Sequence, residues 1–318
     1  RRVLFRSNKE RYIEICTRDT SIPLFLQPLW LDLVTNDWDV LLLYNGSAIS
    51  GALPYHTSVL KKTACFINPI WTPYVGIHIF YPSDLKESNK ARFEEQVWKQ
   101  ALEQLPSFAK IHIGLFPSQL PASSLRAHGF QVLARQTFVV DLQQDEASLL
   151  AACKEATKRH IQAGQKHLLV QEAPQDALLL WKHYTTTLQE KNTKLVGSAT
   201  ALAKVVEKSI ALDIGALYKV VDAQGVALAW AWVVWDEQRA YYLMGARSSA
   251  APHASALTYL LWQSILKQKS KGKISFDLEG SMDQGVANYY QGFPAQKTMY
   301  VAAQKNSHWL WKLRALFP

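Results

Sequence analysis

The order of elements in this 318-residue chain occurs twice, and that repeat limits the fold more than any other feature. Residues 24–34 carry apolar side chains at helical spacing, and the apolar run 38–44 stops at Asn45-Gly46, a strong hairpin signal. Residues 48–59 read as the returning strand, and 64–80 as further strand interrupted by Pro69 and Pro73. A helix follows over 86–105, with Phe93, Val97, Trp98, Ala101 and Leu102 on one stripe. Then come a strand at 110–116, a short helix at 123–128 closed by Gly129, and a strand over 131–142. A helical insert, read as a basic helix at 146–166 and helices at 176–190 and 200–209, separates this half from the next. The second half gives strands at 216–221, 226–235 and 239–246, a helix at 253–269, a strand at 273–278, a short helix at 286–290 and a strand at 298–303. Both halves close alike: Gly129-Phe130 precedes Thr137-Phe138-Val139-Val140, and Gly292-Phe293 precedes Thr298-Met299-Tyr300-Val301. The fold class expected is α/β (mixed α+β), a tandem duplication.

Length agrees with two domains of roughly 150 residues each. We divide them as 8–143 and 144–318, setting aside residues 1–7 (RRVLFRS), which read as a translated sequencing adapter. Without Arg1, Arg2 and Arg6 the formal charge of +9 falls to +6, still basic. The longest apolar stretches, such as 226–235, run about ten residues against the roughly 18 needed to cross a bilayer, so no integral membrane association is expected. Cys16, Cys65 and Cys153 are odd in number and widely spaced. That pattern fits a reducing, cytoplasmic compartment and speaks against a disulfide framework or a zinc site. The nine histidines show no ligand spacing, and no metal is expected.

Specific strings carry a family resemblance. They are Pro23-Leu24-Phe25-Leu26-Gln27-Pro28-Leu29-Trp30, Gly51-Ala52-Leu53-Pro54-Tyr55 and Thr72-Pro73-Tyr74-Val75-Gly76 in the first half. The second half has the basic helix around Lys154, Lys158, Arg159 and Ile161, then Phe276-Asp277-Leu278-Glu279-Gly280-Ser281 and Tyr289-Tyr290-Gln291-Gly292-Phe293. Together with the element order, these resemble the FemAB-like branch of the GNAT superfamily over about residues 20–303. The resemblance implies a bacterial, cytoplasmic N-acyltransferase, N-acetyltransferases among them. It would move an acyl group from an acetyl-CoA-like co-substrate, or an aminoacyl group from aminoacyl-tRNA, to a small-molecule amine or a cell-wall-type precursor. No permanently bound cofactor is implied.

Acyl transfer to an amine needs a base, a donor that polarises the carbonyl and an acid for the leaving group. In GNAT-like units the cleft opens where two parallel strands splay, here 239–246 and 273–278. Backbone N–H groups of Met244, Gly245 and Ala246 would then face the donor carbonyl. Asp277 and Glu279 alternate with Phe276 and Leu278, which predicts both carboxylates on one face of a buried strand. They read as base or amine anchor; equally, Asp277 pairs with Arg247 or Lys297 and Glu279 opens a loop. Tyr289 and Tyr290 occupy the helix where such enzymes place a tyrosine acid, with packing as the plain alternative and no more than one of the two expected to face the cleft. Tyr55, His56 and Tyr74 are the acceptor-side candidates.

The loop over 247–256 holds Arg247, Ser248 and Ser249 but no glycine, so its approach to a pyrophosphate is less close than in a Gly-rich loop. The first half offers still less of a donor loop and is expected to be the non-catalytic copy. The basic helix with Lys154, Lys158, Arg159, His160 and Lys166 suits tRNA backbone, a nucleotide-linked precursor or anionic headgroups, or is simply a solvated face. No RNA-binding motif accompanies it and DNA is not an expected partner. Two rival classes stand beside the acyltransferase: a non-catalytic binding protein, favoured by the Gly-free loop, and an aminoacyl-tRNA-dependent ligase, for which the insert is short. The terminal segment 306–318, with His308, Trp309, Trp311, Lys312 and Arg314, reads either as membrane-surface or as packed on the domain.

Overall fold

The computed structural model describes residues 7–193, 195–249, 255–280, 282–309, 311 and 312. It forms two compact units, one spanning Arg1–Arg135 with Met299–Pro318 and the other Gln136–Thr298. The sequence division at 143/144 therefore assigns two segments differently, and the cause is strand pairing, described below.

The first unit opens with α1 (Asn8–Arg18). Ser7, the last residue of the adapter-like stretch, caps it: its hydroxyl accepts from the Glu10 N–H, and its own N–H donates to the Glu10 carboxylate at 2.8 Å. Tyr12, buried on this helix, donates to the Leu26 carbonyl at 2.9 Å. The stretch expected as one helix at 24–34 is instead a single 3-10 turn (Leu24–Leu26) followed by α2 (Pro28–Val34), because Pro28 lacks an N–H and starts a new helix at N1. β1 (Trp38–Asn45) and β2 (Ala48–Leu60) form the expected hairpin, with Gly46 at φ +62° making the turn. β3 (Thr63–Ile67) and β4 (His78–Ile79) are all that remain of the strand expected over 64–80, since Pro69 and Pro73 break it. α3 (Glu87–Gln104), β5 (Lys110–Gly114) and α4 (Ala122–Ala127) complete the run. Phe93, Val97, Trp98 and Ala101 of α3 pack over Leu53, Phe66, Ile111 and Ile113, leaving alternate residues of β5 on the opposite face.

In the second unit α5 (Glu146–Ala152) and α6 (Glu155–His167) replace the single helix expected over 146–166. The chain is extended at Cys153 and Lys154, where the Lys154 N–H donates to the Gly292 carbonyl at 2.9 Å instead of continuing the helix ladder. After β7 (Leu169–Glu172), which sequence reasoning did not find, come α7 (Ala177–Glu190) and α8 (Ala199–Ala211). β8 (Gly215–Val221), β9 (Ala227–Trp235) and β10 (Arg239–Arg247) form an antiparallel meander, followed by α9 (Ser255–Ser270), β11 (Ser275–Asp277) and α10 (Gln284–Tyr290).

The closing strands of the two halves are exchanged. β6 (Gln131–Asp141) ends the first repeat, yet Val139, Val140 and Asp141 pair with β11 in the second unit. β12 (Ala295–Asn306) ends the second repeat, yet Ala302–Asn306 pair with β5 in the first unit. Each copy of the closing string thus completes the other copy's unit. Register confirms the duplication. The parallel pairs Cys65↔Lys110, Phe66↔Ile111 and Ile67↔His112 of the first unit match Arg239↔Ser275, Ala240↔Phe276 and Tyr241↔Asp277 of the second.

α6 lies close against α9 because Gly164 has no side chain: a Cβ there would overlap the Tyr259 ring. Gly164→Val is expected to lower stability by about 1–3 kcal/mol through overpacking, read as a lower urea midpoint with an unchanged slope. At the C-terminal end, Trp311 is buried and its indole N–H donates to the Thr63 hydroxyl at 3.0 Å, so this residue packs on the first unit. Trp309 stays exposed. Among the described residues no helix is long and apolar enough to cross a membrane.

Candidate functional site

The second unit's sheet opens into a wedge beside β11. β10 and β11 pair for three residues, ending at Tyr241↔Asp277. Beyond that point β10 keeps its ladder to β9 as far as Arg247↔Ala229, with a bulge between Tyr242 and Met244, while its other edge has no strand partner among the described residues. The chain leaves β11 differently: the Leu278 N–H donates to the Phe138 carbonyl at 2.8 Å, and Glu279 takes φ +60°. A left-handed backbone at a non-glycine residue is uncommon and is held here by its surroundings. The expected splay at 239–246 and 273–278 is therefore present, with β11 two residues shorter at its start and one residue shorter at its end than expected.

That turn at Glu279 separates the two carboxylates expected on one face. Asp277, 6% exposed, accepts from the Thr137 hydroxyl at 2.5 Å and from the Glu279 N–H at 2.8 Å. It ties the end of β11 to β6 and fixes the turn. Period-two alternation ends at Leu278, so Glu279 does not follow Asp277. Its half-buried carboxyl is near enough to the phenols of Tyr290, Tyr242 and Tyr184 for its charge to raise their pKa values, and it has no hydrogen-bond partner among the described residues. Burial, and secondly the negative charge of Asp277, push its pKa well above 4.5.

Tyr289 and Tyr290 both face this region, although adjacent helical residues diverge by about 100°. Their rings sit 5.7 Å apart. Tyr290 packs against Phe138 and edge-on to Tyr242 at 6.4 Å, whereas Tyr289 shares a 3.3 Å hydrogen bond with the Thr258 hydroxyl and feels the Arg247 charge. Burial raises the Tyr289 phenol to about 12 and the Tyr290 phenol further, so both remain protonated at neutral pH.

The donor-side candidates lie along the open strand. Met244 and Ala246 are buried, Gly245 is half-buried and Arg247 and Ser249 are exposed; the Ser248 N–H donates to the Leu228 carbonyl at 2.8 Å. The Tyr242 hydroxyl occupies the space a Gly245 side chain would fill, so any donor reaching Gly245 meets that phenol first. Ser255, the first residue of α9, bonds His160 of α6 at 3.0 Å, and Lys158 is engaged by Glu155 at 2.9 Å. Ser281, and residues 250–254 of the hydroxyl-rich loop, lie outside the described residues.

Tyr55, His56 and Tyr74 belong to the first unit. The Tyr55 hydroxyl donates to Asp39 at 3.4 Å, and the two His56 ring nitrogens bond Thr35 and Ser58 at 2.6 and 2.7 Å. Tyr74 is fully buried against Phe116 and Tyr300. These contacts give all three local structural roles.

Sequence reasoning missed Tyr242 and Tyr184. Tyr242 sits inside an apolar strand pattern, where the bulge that turns it is invisible. Tyr184 lies in the insert, outside the repeat, and no local signal links it to Glu279.

No family model matches this chain, and neither does any curated protein. Similarity to solved structures is extensive. FemX superposes with a TM-score of 0.65 at 11% identity, over 92% of this chain and 94% of that one. The C-terminal domain of a putative lysylphosphatidylglycerol synthetase from Agrobacterium fabrum gives 0.54 at 13%, over 94% and 92%. A tandem GNAT protein from the clavulanic acid biosynthesis pathway gives 0.52 at 12%, over 94% of each. The fold is thus a FemAB-like, tandem GNAT-type fold, as the element order and strings led us to expect.

Proposed function

We propose that the second unit transfers an acyl group to an amine within the wedge between β10 and β11, with Glu279 accepting the amine proton. The observation that carries this reading is the Glu279 carboxyl itself. It is half-buried, without a hydrogen-bond partner among the described residues, and set among protonated phenols where a parallel pair of strands parts. A carboxylate with a raised pKa is a stronger base than one in water, and a base tuned toward the working pH is the effective kind.

In the reaction the amine nitrogen attacks the acyl carbonyl, a C–N bond forms and the bond to the leaving group breaks. The proton lost by nitrogen goes to the Glu279 carboxylate. Backbone N–H groups on the open edge of β10, which beyond Tyr241 has no strand partner among the described residues, are suited to the developing oxyanion. The Tyr290 phenol, kept protonated by burial, is available to give a proton to the strongly basic alkoxide that leaves an aminoacyl ester. Asp277 serves as a positioning residue through its bond to the Glu279 N–H.

The donor is either an acyl-CoA thioester or an aminoacyl ester. Similarity over nearly the whole chain to FemX and to the lysylphosphatidylglycerol synthetase domain favours the aminoacyl ester. The Gly-free loop after β10 points the same way, being less suited to a pyrophosphate. Acceptors consistent with this reading are small amines and amine-bearing cell-wall-type precursors. Incubating the protein with labelled acetyl-CoA, longer acyl-CoAs and aminoacyl-tRNA, each with a panel of amines, tests it. Label appearing in an amide from one donor class supports the reading and names the donor. Donor binding without transfer favours the binding-protein alternative. Tyr290→Phe is expected to slow transfer by about tenfold or more with the tyrosine as acid, and an unchanged rate would remove it from the mechanism.

A further inference from the structure

The second unit holds a further pocket, two strands from the wedge and toward the opposite end of its sheet. Trp235, the last residue of β9, pairs with Ala240 at the start of β10, whereas the wedge opens beyond Tyr241. Here a cavity of about 120 Å³ is lined by Trp235, by Gly215 and Leu217 of β8, by Glu172 at the end of β7, by Asp213 after α8 and by Lys271 after α9. Sites for drug-sized ligands run roughly 300–1,000 Å³, so this one has room for a few non-hydrogen atoms only. Its charged lining is two carboxylates against one ammonium. That ammonium belongs to Lys271, whose Nζ stands 3.8 Å from the centroid of the Trp235 ring and 3.9 Å from the Asp213 carboxylate. The chain thus places one of its own alkylammonium groups where an aromatic face and a carboxylate meet, a combination suited to such ions in general. Lys271 is held loosely there, since its side chain is 41% exposed and a pair of that length at the surface contributes little. The Glu172 carboxylate has no ion-pair partner among the described residues.

The walls are fixed by contacts of their own. Asp213 takes a left-handed backbone at φ +53° where the chain turns from α8 into β8, and its carbonyl accepts from the Trp235 indole N–H at 2.9 Å, which sets the angle of the ring. Gly215 lets α8 close on the strand, since a Cβ there would stand 2.6 Å from the Ser209 hydroxyl oxygen. β7 ends at Glu172, and the Ala173 N–H makes a last bond to the Leu217 carbonyl at 2.8 Å, so the outer edge of β8 at Gly215 has no strand partner among the described residues. Burial first, then the charges of Glu172 and Asp213, push the Tyr218 phenol up to about 12, opposed by the nearby Gln268 amide. Gln268, on α9 one turn before Lys271, is 0% exposed, and neither polar atom of its side chain reaches hydrogen-bond geometry with a partner among the described residues. Two carboxylates and an unsatisfied amide therefore converge beside the cavity, and a buried amide in that state calls for a partner.

We infer that this cavity binds the terminal ammonium of a small alkyl amine, which displaces Lys271 from the Trp235 face and sets its charge against Glu172 and Asp213. Lys271, freed from the ring, extends into solvent from the end of α9. The ring and the carboxylates supply the attraction, and the small volume admits an unbranched amine end while excluding bulkier cations. The pocket is no part of the wedge, so an amine held here is not the acceptor of the proposed transfer, and the inference stands apart from that reading.

The test is an NMR titration of the whole chain with n-butylammonium, with 1,4-diaminobutane and with potassium at matched ionic strength, all without an acyl donor, following the Trp235 indole N–H. A saturable shift with both amines, weakened by added salt, is expected. The double variant Glu172→Gln, Asp213→Asn should weaken binding about tenfold. Both residues are exposed and asparagine accepts a left-handed backbone, so this variant should keep its fold. Lys271→Met, which removes the competing ammonium, should tighten binding about threefold, whereas Lys99→Met on α3, 67% exposed, should leave it unchanged. Tighter binding of the diamine would place its second ammonium on the second carboxylate; equal binding would identify recognition of one end alone. Absence of a saturable shift, potassium matching the amines, undiminished binding in the folded double variant, or equal tightening by Lys99→Met would each overturn the inference.

Discussion

Glu279→Gln is expected to reduce the rate of acyl transfer by about 10² or more, with no loss of thermal stability. The two halves of this result rest on one cause. Burial and the Asp277 charge raise the Glu279 pKa in the folded chain, so folding binds its proton more tightly than the unfolded chain does. Stability from this group is intact at low pH and declines as pH rises past 4.5, the ordinary value, toward the raised folded value. Glutamine has no such decline. The variant's melting temperature should therefore draw ahead of wild type across that window, while its activity is lost. A purely structural Glu279 would give the opposite pairing, with stability falling and the residual activity following the folded fraction. Circular dichroism melts at several pH values, run beside the rate measurement, distinguish the two.

Phe276→Ala carries the largest expected cost in stability, about 3–5 kcal/mol. β11 is three residues long, so its position depends less on its ladders than on Phe276, which is 0% exposed and packs with Phe138, Val140, Leu260, Leu261 and Phe293. Truncation leaves a cavity beneath the strand that holds Asp277 and, through it, the turn at Glu279. Activity should fall further than the folded fraction accounts for, because the geometry of the wedge loosens before the unit unfolds. Val59→Ala is the control: Val59 is 72% exposed on β2, and its removal should shift stability by no more than about 0.5 kcal/mol. Urea unfolding of the three proteins gives the comparison.

Elements with strong local patterns were legible in the sequence. The α3 stripe, the hairpin turning at Gly46 and the apolar β9 each follow from short-range chemistry, and their order was enough to indicate a duplicated GNAT-type fold. What the sequence did not show depends on distant partners. The exchange of β6 and β12 is decided by pairing to β11 and β5, which no local signal encodes. The break at Cys153–Lys154 depends on the Gly292 carbonyl, far along the chain. At the candidate site, alternation placed Asp277 and Glu279 on one face of a strand, whereas β11 ends at Asp277 and the left-handed Glu279 turns the chain into the loop. Tyr184 and Tyr242 enter the site only through tertiary packing.

The most direct measurement of the central claim is the pH dependence of label transfer to an amine by the wild-type chain and by Glu279→Gln, using whichever donor class is active. With Glu279 as the proton acceptor, the wild-type rate should climb with pH along a limb lying above 4.5, and the variant should be slower with that limb gone. Equal rates with the same limb in both proteins would contradict the assignment.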